Sequence, residues 1–221
     1  MEKIIKTQQE IETSPSRLLS QSSTVIFDMD GTIYELDGDN NGFKNSSLHK
    51  AVKNNTVDFI SKNEGVSKPS AEVILDELSE KNIYPSIYAS EKYDITRKEF
   101  FDVVWNIDPS SIVKNYQEAV QVISEISKRN INLILLTQAP KVWQSNVFVF
   151  LNIQDLFSEI YTGEDYIHKN EVFPKIAQSR QPHSILAIGD QIETDINPAK
   201  DQGFSTFHVN SPRDLLQLIN E

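Results

Sequence analysis

Four aspartates and one threonine stand at or just beyond the ends of apolar runs in this sequence. Asp28 and Asp30 follow Thr24-Val25-Ile26-Phe27, Thr137 follows the run 131–136, and Asp190 follows 184–188 and Gly189, with Asp195 five residues further on. In an open parallel sheet the ligand crevice lies at the carboxyl ends of the strands. Such a sheet would therefore deliver four carboxylates and a hydroxyl to one edge. Collected there without a cation, the carboxylates would repel one another, and a bound divalent metal is the economical explanation. The donors are all oxygen and no His or Cys grouping accompanies them, so Mg²⁺ is the natural ion. Asp28 and Asp30 are spaced i, i+2, which in extended backbone points both side chains the same way. One can attack while the other handles a proton. Read alone, the same residues also fit a hairpin turn at Asp30-Gly31 or a pair of helix caps.

The elements that would position these residues follow from patterning. Residues 1–23 are polar and Ser/Gln-rich, with Ile4, Ile5 and Ile11 supporting at most a short docked helix. The run 24–27 reads as a buried strand. From about 35 to 111 three helical stretches follow, near 46–62, 69–82 and from Thr96, where Thr96-Arg97-Lys98-Glu99 forms a capping box. From 112 onward helices alternate with short apolar strands. A helix capped by Asn115…Glu118 leads to the strand 131–136, and Pro140 opens another helix before a strand near 160–161. A helix at 170–179 leads to the strand 184–188. A helix at 196–202 and a strand at 206–209 follow, and Ser211-Pro212…Asp214 caps a terminal helix. Apolar strands separated by helices imply a parallel sheet covered on both faces. The expected fold is α/β, a Rossmann-like parallel core interrupted after its first strand by a helical insertion.

Composition bounds the function. The chain has 221 residues, 21 Lys+Arg against 32 Asp+Glu, and a formal net charge of −11. Such a balance repels nucleic-acid phosphates, so nucleic acid is not an expected partner. The absence of cysteine excludes disulfides, zinc–thiolate sites and cysteine nucleophiles. No run approaches the roughly 18–20 apolar residues needed to span a bilayer. The opening MEKIIKTQQEIETS has no apolar h-region or cleavage site. The expectation is a cytoplasmic monomer or homodimer without a membrane partner.

Asp28-Met29-Asp30-Gly31-Thr32 after an apolar strand resembles the first motif of the haloacid dehalogenase (HAD) superfamily. Leu135-Leu136-Thr137 resembles the second, a strand ending in Thr or Ser. Gly189-Asp190-Gln191-Ile192-Glu193-Thr194-Asp195 resembles the fourth, with Ile196…Ala199-Lys200…Gly203 as its continuation. The third motif, a lone lysine ahead of the fourth, is assigned to Lys169 with Lys175 as rival. Lys169 stands where a loop enters a helix, near the positive end of its dipole, whereas Lys175 lies mid-helix, where its ammonium would reach solvent. The motifs run in order over about 24–209, and the helical stretch sits where the cap-bearing phosphatases of the superfamily, phosphoglycolate phosphatase-like or nucleotidase-like, carry their cap. The implied division is a core of 1–34 and 112–221, with 1–23 as a polar extension, and a cap of 35–111.

The resemblance also implies roles. Asp28 would be the nucleophile, forming an aspartyl-phosphate. Asp30 would protonate the leaving oxygen and then activate water. Thr137 and Lys169 would hold phosphate oxygens. Asp28, Asp190 and Asp30 through its carbonyl would ligate Mg²⁺, with Asp195 supporting the metal shell and Gly189 letting the backbone approach it. The implied activity is a Mg²⁺-dependent phosphatase acting on a small phosphorylated metabolite. A phosphomutase of the same family and a catalytically silent regulatory or binding protein are the alternatives. The acid at Asp30 favours a phosphatase over a dehalogenase, which lacks one there.

Other signals are read more plainly. Of the aromatics Phe43, Tyr84, Tyr88, Tyr93, Phe100, Phe101 and Trp105, one or two at most are expected to meet substrate. Asp37-Gly38-Asp39-Asn40-Asn41-Gly42 imitates the start of a calcium loop, but Leu48 occupies its twelfth position, so a hinge is expected instead. Trp143 is expected at the cleft mouth or in helix packing.

Overall fold

The computed structural model describes residues 14–39 and 42–220. Within it the run Thr24–Phe27 (β1) is buried at every position. β1 pairs in parallel with Asn132–Leu136 (β2) on one side and with Ile185–Gly189 (β4) on the other. Glu159–Tyr161 (β3) and Ser205–His208 (β5) form the edges, giving the order β3-β2-β1-β4-β5. Alternate residues of the central strands enter different cores. Val25, Phe27, Leu135 and Ile188 pack in one apolar cluster, and Ile26, Ile134, Leu136 and Ala187 in the other. Burial on both faces is why these strands read as continuous apolar runs. The fold is the Rossmann-like parallel α/β arrangement expected, and β1 having only parallel neighbours removes the hairpin reading of Asp30-Gly31.

Helices Gln117–Ser127 (α6) and Lys141–Leu151 (α7) cover the first face, with Val122, Ile123, Trp143 and Val147 in its core. Phe173–Gln178 (α8) and Asn197–Asp201 (α9) cover the second through Phe173, Ile176 and Ala199. The extension differs from a purely polar tail. Pro15–Ser20 (α1) is a helix capped by Ser14, and its buried Leu19 joins the first core beside Leu215 and Leu218 of the 3₁₀ segment Pro212–Leu218. Ile4, Ile5 and Ile11 lie outside the described residues.

Four α-helices, not three, stand among the described residues of 35–111: Ser47–Glu64 (α2), Lys68–Glu80 (α3), Pro85–Tyr93 (α4) and Arg97–Val104 (α5). α4 escaped the sequence reading because it buries only Ser86 and Ala89 and so shows no apolar stripe. These helices have apolar contacts of their own, Ala89, Phe100, Phe101 and Val104 in one cluster and Val57, Ile60 and Ala71 in another. The chain entering them at Glu35 pairs with the chain leaving them at Lys114, through amide-to-carbonyl bonds of 2.9 and 3.2 Å.

Two local expectations change. Asn115 does not cap α6. It adopts a left-handed conformation with φ 46° and its side chain donates to Glu35, and Tyr116 takes the cap position. The helix expected at 170–179 is split into a 3₁₀ turn, Lys169–Glu171, and α8, because Pro174 suits a helix's first turn rather than its interior. The calcium-like loop is also resolved differently. The Asp37 carboxylate accepts from the Ser47 amide and hydroxyl at the entry to α2, while Asn40 and Asn41 lie outside the described residues.

Candidate active site

Strand register brings the predicted residues together. Phe27 is level with Leu135 and Ile188, so Asp28, Thr137 and Asp190 leave the sheet side by side at its carboxyl edge. That edge is also where the chain turns from β3 back across the sheet to β4, the switch point at which α/β crevices open.

Asp28, Asp190 and Asp195 converge so that one oxygen from each lies within 4.8 Å of the others. Lys169 bridges two of them, its ammonium 2.5 Å from Asp28 Oδ1 and 2.7 Å from Asp195 Oδ1. The second Asp28 oxygen accepts from the Thr32 hydroxyl at 3.2 Å, a partner the sequence reading missed. Lys175, the rival lysine, is exposed on α8. Asp195 is brought inward by a π-turn, Ile192–Ile196, a widened turn of the kind found at functional sites. Its Oδ2 accepts from the Gln191 amide at 3.1 Å. His208, on β5, donates from Nε2 to the Asp190 carbonyl at 2.9 Å and steadies that loop.

Two glycines make the cluster possible. A side chain on Gly31, which has φ +86°, would come within 2.5 Å of the Asp190 carboxylate. A Cβ on Gly189 would lie 2.4 Å from Asp195. Gly189 therefore makes room for the Asp195 side chain.

Asp30 stands apart from the cluster. Its Oδ1 accepts from the Tyr34 hydroxyl and from the Trp143 indole N–H at 3.3 Å, and Trp143 also donates to the Tyr34 oxygen at 2.9 Å. Neither Tyr34 nor Trp143 was singled out as a partner of Asp30. Trp143 is fully buried in α7, not exposed at the cleft mouth. Thr137 is also fully buried, and its hydroxyl oxygen accepts from the Ala139 amide at 3.1 Å.

The electrostatics favour a bound cation. Like charges about 4 Å apart repel by roughly 4 kcal/mol at an effective dielectric near 20. Burial first, then the charges of Asp195 and Asp190, push Asp28 well above the usual carboxylate range against the pull of Lys169. Burial and Asp195 push Asp190 up to about 6. Burial works against the Lys169 charge, but Asp28 and Asp195 outweigh it and hold the ammonium charged. Three carboxylates thus face one ammonium. Among the described residues, Asp190 Oδ1 is a buried oxygen without a hydrogen-bond partner, an arrangement normally explained by an ion or water. The donor set is all oxygen, and these residues fit Mg²⁺.

Between this edge and the four helices lies a cavity of about 860 Å³ bordered by Asp28, Asp30, Lys169 and Thr194. Phe43, Tyr84, Phe100, Phe101 and Trp105 are among its lining residues, and Phe100 and Phe101 also pack in the core of the inserted helices. Arg97 reaches across, donating to the Gly163 carbonyl at 2.9 Å. No helix among the described residues is long and apolar enough to cross a membrane.

No curated protein matches this sequence. Known structures share the fold at low identity. A HAD phosphatase from Thermococcus onnurineus is similar with a TM-score of 0.55 and 19% identity over 85% of this chain and 86% of its own. A predicted phosphoglycolate phosphatase from Haemophilus somnus 129pt is similar with a TM-score of 0.52 and 16% identity over 85% of each chain. A HAD-superfamily hydrolase, subfamily IA, variant 1, from Geobacter sulfurreducens PCA is similar with a TM-score of 0.51 and 14% identity over 90% of this chain and 97% of its own. The family model for haloacid dehalogenase-like hydrolases matches residues 25–209. That stretch runs from β1 through β5 and carries every carboxylate of the cluster, and the chain belongs to the haloacid dehalogenase-like hydrolase family.

Proposed function

We propose that this hydrolase is a Mg²⁺-dependent phosphatase that cleaves a small-molecule phosphomonoester through an aspartyl-phosphate on Asp28. The observation that carries the reading is the pairing of two differently held carboxyl groups at one cavity. Asp28 sits among Lys169, Asp190 and Asp195, and Asp30 is held separately by Tyr34 and Trp143. Nucleophile and acid need such separate environments.

Asp28, Asp190 and the Asp30 carbonyl would hold Mg²⁺, with Asp195 supporting them. When bound, the ion supplies positive charge against the phosphate oxygens and the carboxylates. Asp28 attacks phosphorus and forms the new P–O bond as the bond to the leaving oxygen breaks. Asp30 gives its proton to that oxygen, releasing an alcohol. Asp30, now a carboxylate, takes a proton from water as the water oxygen attacks phosphorus, and the bond to Asp28 breaks. Phosphate leaves, and both aspartates return to their starting states. Lys169 and the Thr137 hydroxyl hold phosphate oxygens, which share charge in the transition state. Residues 35–111 act as a cap that closes the cavity, excludes water and reads the leaving group. The paired strands at Glu35 and Lys114 support a joint at its base. A cavity near 860 Å³ suits a metabolite rather than a phosphoprotein.

The test is Mg²⁺-dependent release of inorganic phosphate from p-nitrophenyl phosphate and from a panel of metabolite phosphates. Release that stops in excess chelator and returns with Mg²⁺ is expected. Full activity in chelator overturns the metal's role, and phosphate moved within the substrate without release points to a mutase.

A further inference from the structure

We infer that Tyr34 and Trp143 form a two-donor clamp on Oδ1 of Asp30, so that the proton given to the leaving group is carried on Oδ2. The inference rests on the phosphatase reading above and names two positioning residues for it.

The geometry is a relay of donors. An indole N–H can only donate. Trp143 Nε1 lies 2.9 Å from the Tyr34 oxygen and 3.3 Å from Asp30 Oδ1. The Tyr34 hydroxyl accepts from Trp143 and spends its own proton on Asp30 Oδ1. Both donors address the same oxygen. An oxygen that receives two N–H or O–H groups behaves as the carbonyl oxygen of a carboxyl group, and the transferable proton belongs on the other. Oδ2 receives neither donor, and Asp30 borders the cavity.

The clamp is built to hold still. Tyr34 and Trp143 are fully buried. Tyr34 is one turn past Asp30, where its carbonyl accepts from the Gly31 amide at 3.0 Å. Trp143 is in the first turn of α7, whose Val147 and Phe148 lie in the sheet's core. One donor thus comes from the loop after β1 and the other from the helix after β2. The clamp also keeps a fourth carboxylate from swinging to Lys169 and joining the three already there. After proton transfer the same two donors meet the new negative charge, holding Asp30 ready to take a proton from water.

The readout is dependence on the leaving group. A good leaving oxygen departs without much help, whereas a poor one needs the acid. For wild type, Tyr34→Phe, Trp143→Phe and Asp30→Asn, kcat/KM is measured with p-nitrophenyl phosphate and with phenyl phosphate. This constant reports the step in which the leaving group departs. The ratio of the two constants is expected to rise about tenfold or more in each clamp variant, in the direction of Asp30→Asn. Adding Tyr34→Phe to Asp30→Asn is expected to raise it no further. Equal loss on both esters in the clamp variants, with wild type active, overturns the clamp and leaves the phosphatase reading standing. Wild type that releases phosphate from neither ester overturns both. Tyr34→Phe removes one oxygen and carries the test if Trp143→Phe does not fold, as judged by thermal unfolding.

Discussion

Glu64, in the four-helix insertion, and Asp190, at the sheet edge, are both carboxylates placed among charged neighbours, and their surroundings push them in opposite directions. Glu64 accepts from the Tyr88 hydroxyl at 2.9 Å, the Tyr93 hydroxyl at 2.5 Å and the Lys92 ammonium at 2.6 Å. The Lys92 and Tyr93 bonds, in that order, hold it well below its usual value, at about 2. Asp190 is pushed up to about 6 by burial and by Asp195, and its Oδ1 meets no donor. A satisfied carboxylate holds structure together. A crowded cluster holds its charges against their own repulsion, and that is the arrangement expected of a site that binds a cation. Five substitutions would break or sharpen this contrast.

The largest effect is expected from Asp28→Asn. Turnover should fall about a thousandfold or more, at least ~4 kcal/mol of barrier, because the amide is a poor nucleophile. The unfolding midpoint without Mg²⁺ should stay near or above wild type, since one of three like charges is gone. A variant that retains appreciable steady-state activity would remove the covalent route.

Next come the two lysines. Lys169→Ala should cut kcat/KM by about a hundredfold or more, whereas Lys175→Ala should change it less than about tenfold, under ~1.4 kcal/mol. The first faces Asp28 and Asp195 and the second faces solvent. The reverse order in steady-state kinetics would transfer the phosphate-holding role to Lys175.

A smaller effect concerns metal and pH. Mg²⁺ should raise the melting temperature of wild type, and Asp190→Asn should abolish most of that rise. Asp190 has a raised value in the fold, so without metal its charge opposes folding above about pH 6 and this penalty fades as pH falls toward the usual 3.8. Mg²⁺ must displace the proton that Asp190 then holds. The Mg²⁺-induced rise should therefore be full above pH 6 and shrink below it. A rise that grows on acidification would contradict this assignment.

The smallest effect is expected at Glu64. Its folded value is depressed from 4.5 to about 2, so its contribution is present above 4.5 and lost as pH falls through 2. Glu64→Gln should lower the melting temperature modestly at neutral pH and converge on wild type in acid. Thermal scans across that range check it, and a gap that persists at the acid end would assign the loss to packing.

Part of this molecule was legible without coordinates. The strands showed as apolar runs because both faces of the sheet are covered, and chain order alone led from each run to the carboxylate behind it. The capping box at Thr96 and Glu99 was equally readable, since its partners are three residues apart. Helix α4 was not, because it presents few apolar residues, and neither was the left-handed turn at Asn115, whose partner Glu35 is 80 residues away.

The same divide runs through the candidate site. Local sequence determined which side chains stand at the sheet's carboxyl edge, because strand ends and the residues after them are set by near-neighbour pattern. Only the tertiary structure decided what each one meets. Lys169 reaches Asp28 across 141 residues and Trp143 reaches Asp30 across 113. Asp28 and Asp30, two residues apart, were expected to point the same way. They border one cavity but face different partners, because the chain leaves extended backbone there and turns at Gly31, held by the Tyr34 carbonyl. Side-chain direction past a strand end depends on that turn and on what packs against it. Spacing in the sequence carries neither.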